Sequence, residues 1–258
     1  MNSKAARYAL LIAQILISLV IFSILVLGIS EGETMRPMVT RSIPCSVQTT
    51  ANLLFSVILF FGLRKTGMVE LSIAPFLLLS TSLENIRIFS YYAEYSHAEL
   101  ISSDVLAALF LFSLLLSLVM FCGLSFTFLS RSLISVNHYI LAGIVGVVLV
   151  MAFGPRISDA ADIRHIAVYR MLIIILFSTA VVSFAAGILT NLHTYNIGKQ
   201  VALLGLTVGD FMLSMFSSAA PLYIGLVIFT ACEIFLTVMI RRGNRSMGMS
   251  EIIASEPI

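Results

Sequence analysis

Long apolar runs separated by short polar stretches set the pattern of this chain. A helix rises about 1.5 Å per residue, so roughly 20 mostly apolar residues cross a hydrocarbon core of about 30 Å. Residues 8–29, 104–129, 171–192 and 219–240 reach that length with almost no charge. Residues 48–63, 71–89 and 138–153 are shorter or more polar but carry the same signal. An eighth segment, VALLGLTVGDFMLSMF at 201–216, is marginal. Its apolar residues contribute about −0.5 kcal/mol each, against about +3 for a central aspartate and smaller penalties for its other polar positions, a sum near zero. The short Ser217, Ser218, Pro221 turn lets it enter with the last span as a helical hairpin.

The expected fold is therefore all-α, a polytopic transmembrane helical bundle of eight spans. One domain covers residues 1–242, and a short, loose cytoplasmic tail follows at 243–258. Seven spans remain if the first run is cleaved or if 201–216 does not cross. The first apolar run, about 20 residues long with no A-x-A motif after it, exceeds the 7–15 usual in a signal peptide and is expected to stay. The largest expected loop is 30–47, too short to fold alone. Residues 91–103, with Tyr91, Tyr92 and Tyr95 among acids, read as an interfacial belt. Residues 154–170 read as a helix lying on the surface.

Composition agrees with this pattern. Hydrophobic residues make up 59% and charged residues 11%, against roughly a quarter charged in a soluble domain. Fifteen basic and 13 acidic residues give a net charge of +2 with no basic stripe, which disfavours a nucleic-acid partner. Lysine and arginine resist translocation. With both termini cytoplasmic, Lys4, Arg7, Arg64, Lys65, Arg131, Lys199, Arg241, Arg242 and Arg245 fall inside, nine of the 15. Arg36, Arg41, Arg87, Arg156, Arg164 and Arg170 fall outside. The expected location is the plasma (cytoplasmic) membrane, with the lipid bilayer as partner and room for a membrane or cytoplasmic protein partner.

Candidate chemistry rests on ionisable residues inside apolar runs, because each is costly there. Asp210, near the middle of the marginal span, and Glu233, in the last one, lead as ion or ligand contacts. Helical rise separates their depths by roughly 13 Å, so they are not expected to share one substrate. Structural alternatives are an arginine partner for Asp210, either Arg87 or Arg170, and Gln14 or Asn191 as neighbours of Glu233. Glu84 and Arg87, three apart, fit an ion pair on one helical face. With Ser80, Thr81, Ser82 and Asn85 they suggest an inward polar face on a pocket open to the outside, or simply the wet end of the span. Gly205 with Gly209, Ala142 with Gly146 and Ser183 with Gly187 are small-residue pairs suited to close helix packing.

No cofactor or metal is indicated. Cys45, Cys122 and Cys232 form no CxxC motif, and His97, His138, His165 and His193 are at least 27 residues apart. Every lysine falls at a span end, which argues against a Schiff-base chromophore, and no nucleotide-binding or hydrolase motif is present. In span number, size and lack of catalytic motifs the chain resembles the multi-span sensory regions at the amino end of some bacterial signalling proteins, a likeness of architecture alone. The expected function is non-enzymatic: a sensor- or receptor-like bundle binding a small ligand from the outer side. The alternatives are an ion-coupled transporter or permease subunit using Asp210 and Glu233, and an accessory subunit of a membrane complex.

Overall fold

The computed structural model describes residues 4–62, 70–97, 100–129, 136–157, 166–190, 197–216 and 218–254. Among them all regular structure is helical: α1 (Lys4–Ser30), α2 (Arg36–Gly62), α3 (Glu70–Glu84), α4 (Ile88–Ser96), α5 (Ser103–Leu129), α6 (Val136–Phe153), α7 (Ala167–Thr190), α8 (Ile197–Met215) and α9 (Ala219–Ala254). Leucine, isoleucine and phenylalanine fill these helices. Many of their serines and threonines return hydroxyl protons to carbonyls one turn back, as Ser18 does to Gln14 at 2.8 Å and Thr207 to Leu203 at 2.8 Å, so those hydroxyls need no water.

Local chemistry sets several boundaries. Gly32, in the left-handed region at φ +82°, lets the chain leave α1 and enter a 3-10 turn over Gly32–Met35. His97, at φ 55°, ends α4 with its N–H on the Ala93 carbonyl. Pro37 sits in the first turn of α2, where no intrahelical donor is needed. Pro44, inside α2, withholds the N–H that the Thr40 carbonyl would accept, and the Tyr223 hydroxyl of α9 donates to that carbonyl at 3.2 Å.

This arrangement corrects the expected loop at 30–47. That segment is the 3-10 turn and nearly the first half of α2, held by burial of Met38, Ser42, Cys45 and Ser46. Its low hydropathy reflects packing against protein rather than exposure to solvent. The third apolar run continues through a 3-10 turn at Asn85–Arg87 into α4, which takes up residues 91–96 of the expected belt, the three tyrosines among them. α9 extends from Ala219 to Ala254, past the last apolar run. Of the surface helix expected over 154–170, residues 158–165 lie outside the described residues.

Five helical stretches are long and apolar enough to cross a membrane: Tyr8–Ser30, Gly32–Phe61, Ser103–Thr127, Ala167–Thr190 and Ala219–Met239. His138–Phe153 is a shorter apolar helix. Five of the eight expected crossings are thus supported by length and composition; α3 has only 15 residues, and the apolar part of α6 is the short His138–Phe153. α5 is the central helix, with nearly every side chain from Leu106 to Leu124 buried. The outer helices turn large apolar side chains outward, including Leu19 and Val26 on α1, Leu141 on α6, and Ile175 and Val182 on α7. An apolar exterior around a polar interior is the arrangement of an integral membrane protein.

Candidate functional site

α2, α3, α5 and α8 meet around a buried polar network. α2 presents one polar face, with Ser42, Cys45, Ser46, Thr49 and Asn52 at helical spacing and Gln48 beside them, all buried. Gln48 Nε2 donates to Asp210 Oδ1 at 3.0 Å, joining α2 to α8. Asn85 Nδ2 donates to Gln48 Oε1 and Thr49 Oγ1, each at 3.0 Å, and reaches the Thr81 carbonyl at 3.4 Å. Asn52 Nδ2 donates to Thr81 Oγ1 at 3.0 Å and Ser82 Oγ at 2.9 Å, and Gln14 Nε2 of α1 donates to Ser82 Oγ at 2.7 Å.

The charged part of the network is enclosed. Asp210 is 0% exposed, Glu84 1% and Arg87 5%. Glu84 accepts hydrogen bonds from Ser117 Oγ of α5 at 2.5 Å and from Ser214 Oγ of α8. Arg87 does not form the expected i, i+3 ion pair: among the described residues the single ion pair is Arg41–Glu94 at 3.3 Å. The two serines occupy the Glu84 carboxylate, while Arg87 Nη1 donates to the Ser214 carbonyl at 3.3 Å, near the negative end of the α8 dipole. Its guanidinium also lies 6.0 Å from the Phe110 ring centroid. Arg87 and Glu84 are both within electrostatic reach of Asp210. Several polar atoms remain unpartnered, among them Asp210 Oδ2, Asn85 Oδ1 and two Arg87 nitrogens. Arg170, the other expected partner of Asp210, is exposed on α7.

The pocket expected on the Ser80–Asn85 face is not open, because α2, α5 and α8 close over it. A separate cleft lies further along the bundle toward Lys199, between α2, α3, α5, α8 and α9, with about 600 Å³ of empty space including its mouth. Phe55, Phe121, Phe229 and several leucines make its walls. Three polar side chains reach it: Thr81, Lys199 and Glu233. Glu233 is 3% exposed, and its Oε1 is unpartnered. Gln14 is not its neighbour, being bonded to Ser82, and Asn191 lies outside the described residues. Lys199 is engaged by another contact and makes no ion pair with Glu233.

Glycine packing fixes the depth relation of the two acids. A Cβ on Gly209 would come within 2.8 Å of the Phe229 nitrogen, and the same atom on Gly205 would run into Cys232. With Phe229 opposite Gly209 and Cys232 opposite Gly205, Glu233 lies only about 8 Å along the axis from Asp210, closer than helical counting from the turn gave. They still belong to different surroundings, one in the network and one in the cleft. A Cβ on Gly187 would meet Gln200 of α8 at 3.2 Å, so the buried Ser183 and Gly187 face that helix. The Ala142–Gly146 pair makes no comparable approach: Ala142 is exposed and a Cβ on Gly146 meets nothing within 4 Å.

The sequence singles out Thr81 only as part of the polar face of the third run, and does not single out Gln48, Asn52, Ser117 or Ser214 as site residues. The stripe at 42, 45, 49 and 52 was the available signal for α2, hidden because its first half fell in an expected loop. Ser117 and Ser214 carried no signal, since isolated serines are common in apolar helices. The sequence matches no known protein family and no curated protein.

Proposed function

We propose that the chain is a non-enzymatic, sensor- or receptor-like membrane protein that binds a small ligand inside its helical bundle and responds with a helix shift. It crosses the plasma membrane eight times, α6, α8 and the α3–α4 path adding to the five longer helices. Both termini are cytoplasmic, following the distribution of basic residues. Thr81 carries the reading. Its side chain lines the cleft, its hydroxyl accepts from Asn52, and its carbonyl lies 3.4 Å from Asn85 Nδ2. Asn85 in turn bonds Gln48, and Gln48 bonds Asp210. An occupant pressing on α3 at Thr81 therefore strains hydrogen bonds that hold α2, α3 and α8 together, and packed, bonded cores reset between discrete arrangements rather than yielding gradually.

The same chain disfavours a proton path. Primary amides at Gln48 and Asn85 separate Asp210 from the cleft, and an amide relays a proton only through a costly tautomer. Ion-coupled transport remains the second reading, on the unpartnered oxygen of Asp210.

Filling the cleft by substitution tests the coupling. Leu203→Phe enlarges a wall residue on α8. Nitroxides at Leu100 and Phe216, both exposed at the opposite end of the bundle, should then report a distance change on the order of 1–2 Å. An unchanged distance distribution sinks the sensor reading. Proton or sodium flux into proteoliposomes that disappears in Asp210→Asn would replace it with transport.

A further inference from the structure

We propose that the cleft beside Glu233 binds a free lipophilic amine: an aromatic or short aliphatic body carrying one protonated nitrogen. The proposal deepens the ligand-binding reading above and rests on it.

The walls select the body. Three phenylalanines, from α2, α5 and α9, supply apolar surface and aromatic faces for a cation. Glu233 selects the head group. A carboxyl oxygen that is buried, unpartnered and beside an apolar space lacks the hydrogen bond that buried polar groups almost always have. An ammonium supplies both the donor and the compensating charge, and such charge-assisted bonds are about twice as strong as neutral ones. An alcohol supplies only the donor. An anion would meet the same carboxyl with no donor, and Lys199, the cation at the cleft, is already engaged. Thr81, the hydroxyl-bearing residue of the wall, brings the occupant against the residue through which the network is reached.

The chain contains no tryptophan, so Phe55→Trp places a single indole in the cleft wall. Titration with 4-bromophenethylamine, in nanodiscs of phosphatidylglycerol and phosphatidylcholine that contain no primary amine, reads binding as heavy-atom quenching. The expected result is saturable quenching at a concentration at least tenfold below that for 4-bromophenethyl alcohol, with 3-(4-bromophenyl)propanoate weaker still. Glu233→Gln should remove the tenfold preference, and Glu233→Asp, which draws the carboxyl back by one methylene, should retain part of it. As a measurement needing no substitution, the amine should raise the unfolding temperature of the native chain more than the alcohol does. Non-saturable quenching, equal affinity for amine and alcohol, or a preference that survives in Glu233→Gln would each overturn the proposal. If the amine binds but the Leu100–Phe216 distance stays fixed, the site stands and the sensor reading falls. If Leu203→Phe moves that distance but the amine does not bind, the reverse holds.

Discussion

Asp210 shows how a buried carboxylate is tolerated among apolar helices: one oxygen takes the Gln48 amide, and Arg87 with Glu84 sets the field around it. The geometry separates the role of its charge from that of its hydrogen bond. Asp210→Asn keeps an oxygen to accept from Gln48 and should change stability by less than about 1 kcal/mol. Asp210→Leu strands the Gln48 donor and should cost about 1–3 kcal/mol. Unfolding midpoints in a denaturing-detergent titration read both, and equal losses in the two variants would show that charge, not the amide bond, holds the residue. Ser117 and Ser214 make the same point for Glu84. Two hydroxyls, one from α5 and one from α8, replace the expected arginine pair, and no spacing rule within a single helix anticipates partners from two others.

Helix pairs obey the same logic through shape. α8 and α9 approach closely because Gly209 and Gly225 leave their backbones uncovered. A Cβ on Gly209 would meet the Phe229 nitrogen at 2.8 Å and the Gly225 carbonyl at 3.0 Å, both rigid backbone atoms. Gly209→Ala should therefore force the pair apart and cost about 1–3 kcal/mol, as overpacked cores do. Gly146→Ala, with open space around it, should instead gain about 0.5–1 kcal/mol from lost backbone freedom in the unfolded chain. Thermal or detergent unfolding of the two variants decides between them, and a destabilised Gly146→Ala would restore the packing role that the A-x-x-x-G spacing suggested. Spacing finds where two helices are able to approach; only the neighbour's position says which pair does. The same limit hid α2, whose first half is polar enough to read as a loop until α1, α4 and α9 are seen to pack beside it.

For the molecule as a whole, the apolar exterior predicts that the protein stays in the membrane fraction through carbonate extraction. The eight-span reading further predicts that single cysteines at Ser102 and Ser218 label from the same, outer side. Labelling from opposite sides would require an odd number of crossings between them and would remove either α6 or α8 from the spans. The all-helical class, the positions of four of the five long apolar helices and the costliness of Asp210, Glu233 and Glu84 followed from the sequence alone, because hydrophobic length and the energy of burying charge are properties of a segment and its solvent. Which polar atoms meet, that the Ser80–Asn85 face is sealed while a cleft opens beside Glu233, and that Thr81 joins the two were decided only by tertiary structure. Those are relations between helices distant in the chain, fixed by the register in which glycines and polar stripes let them pack.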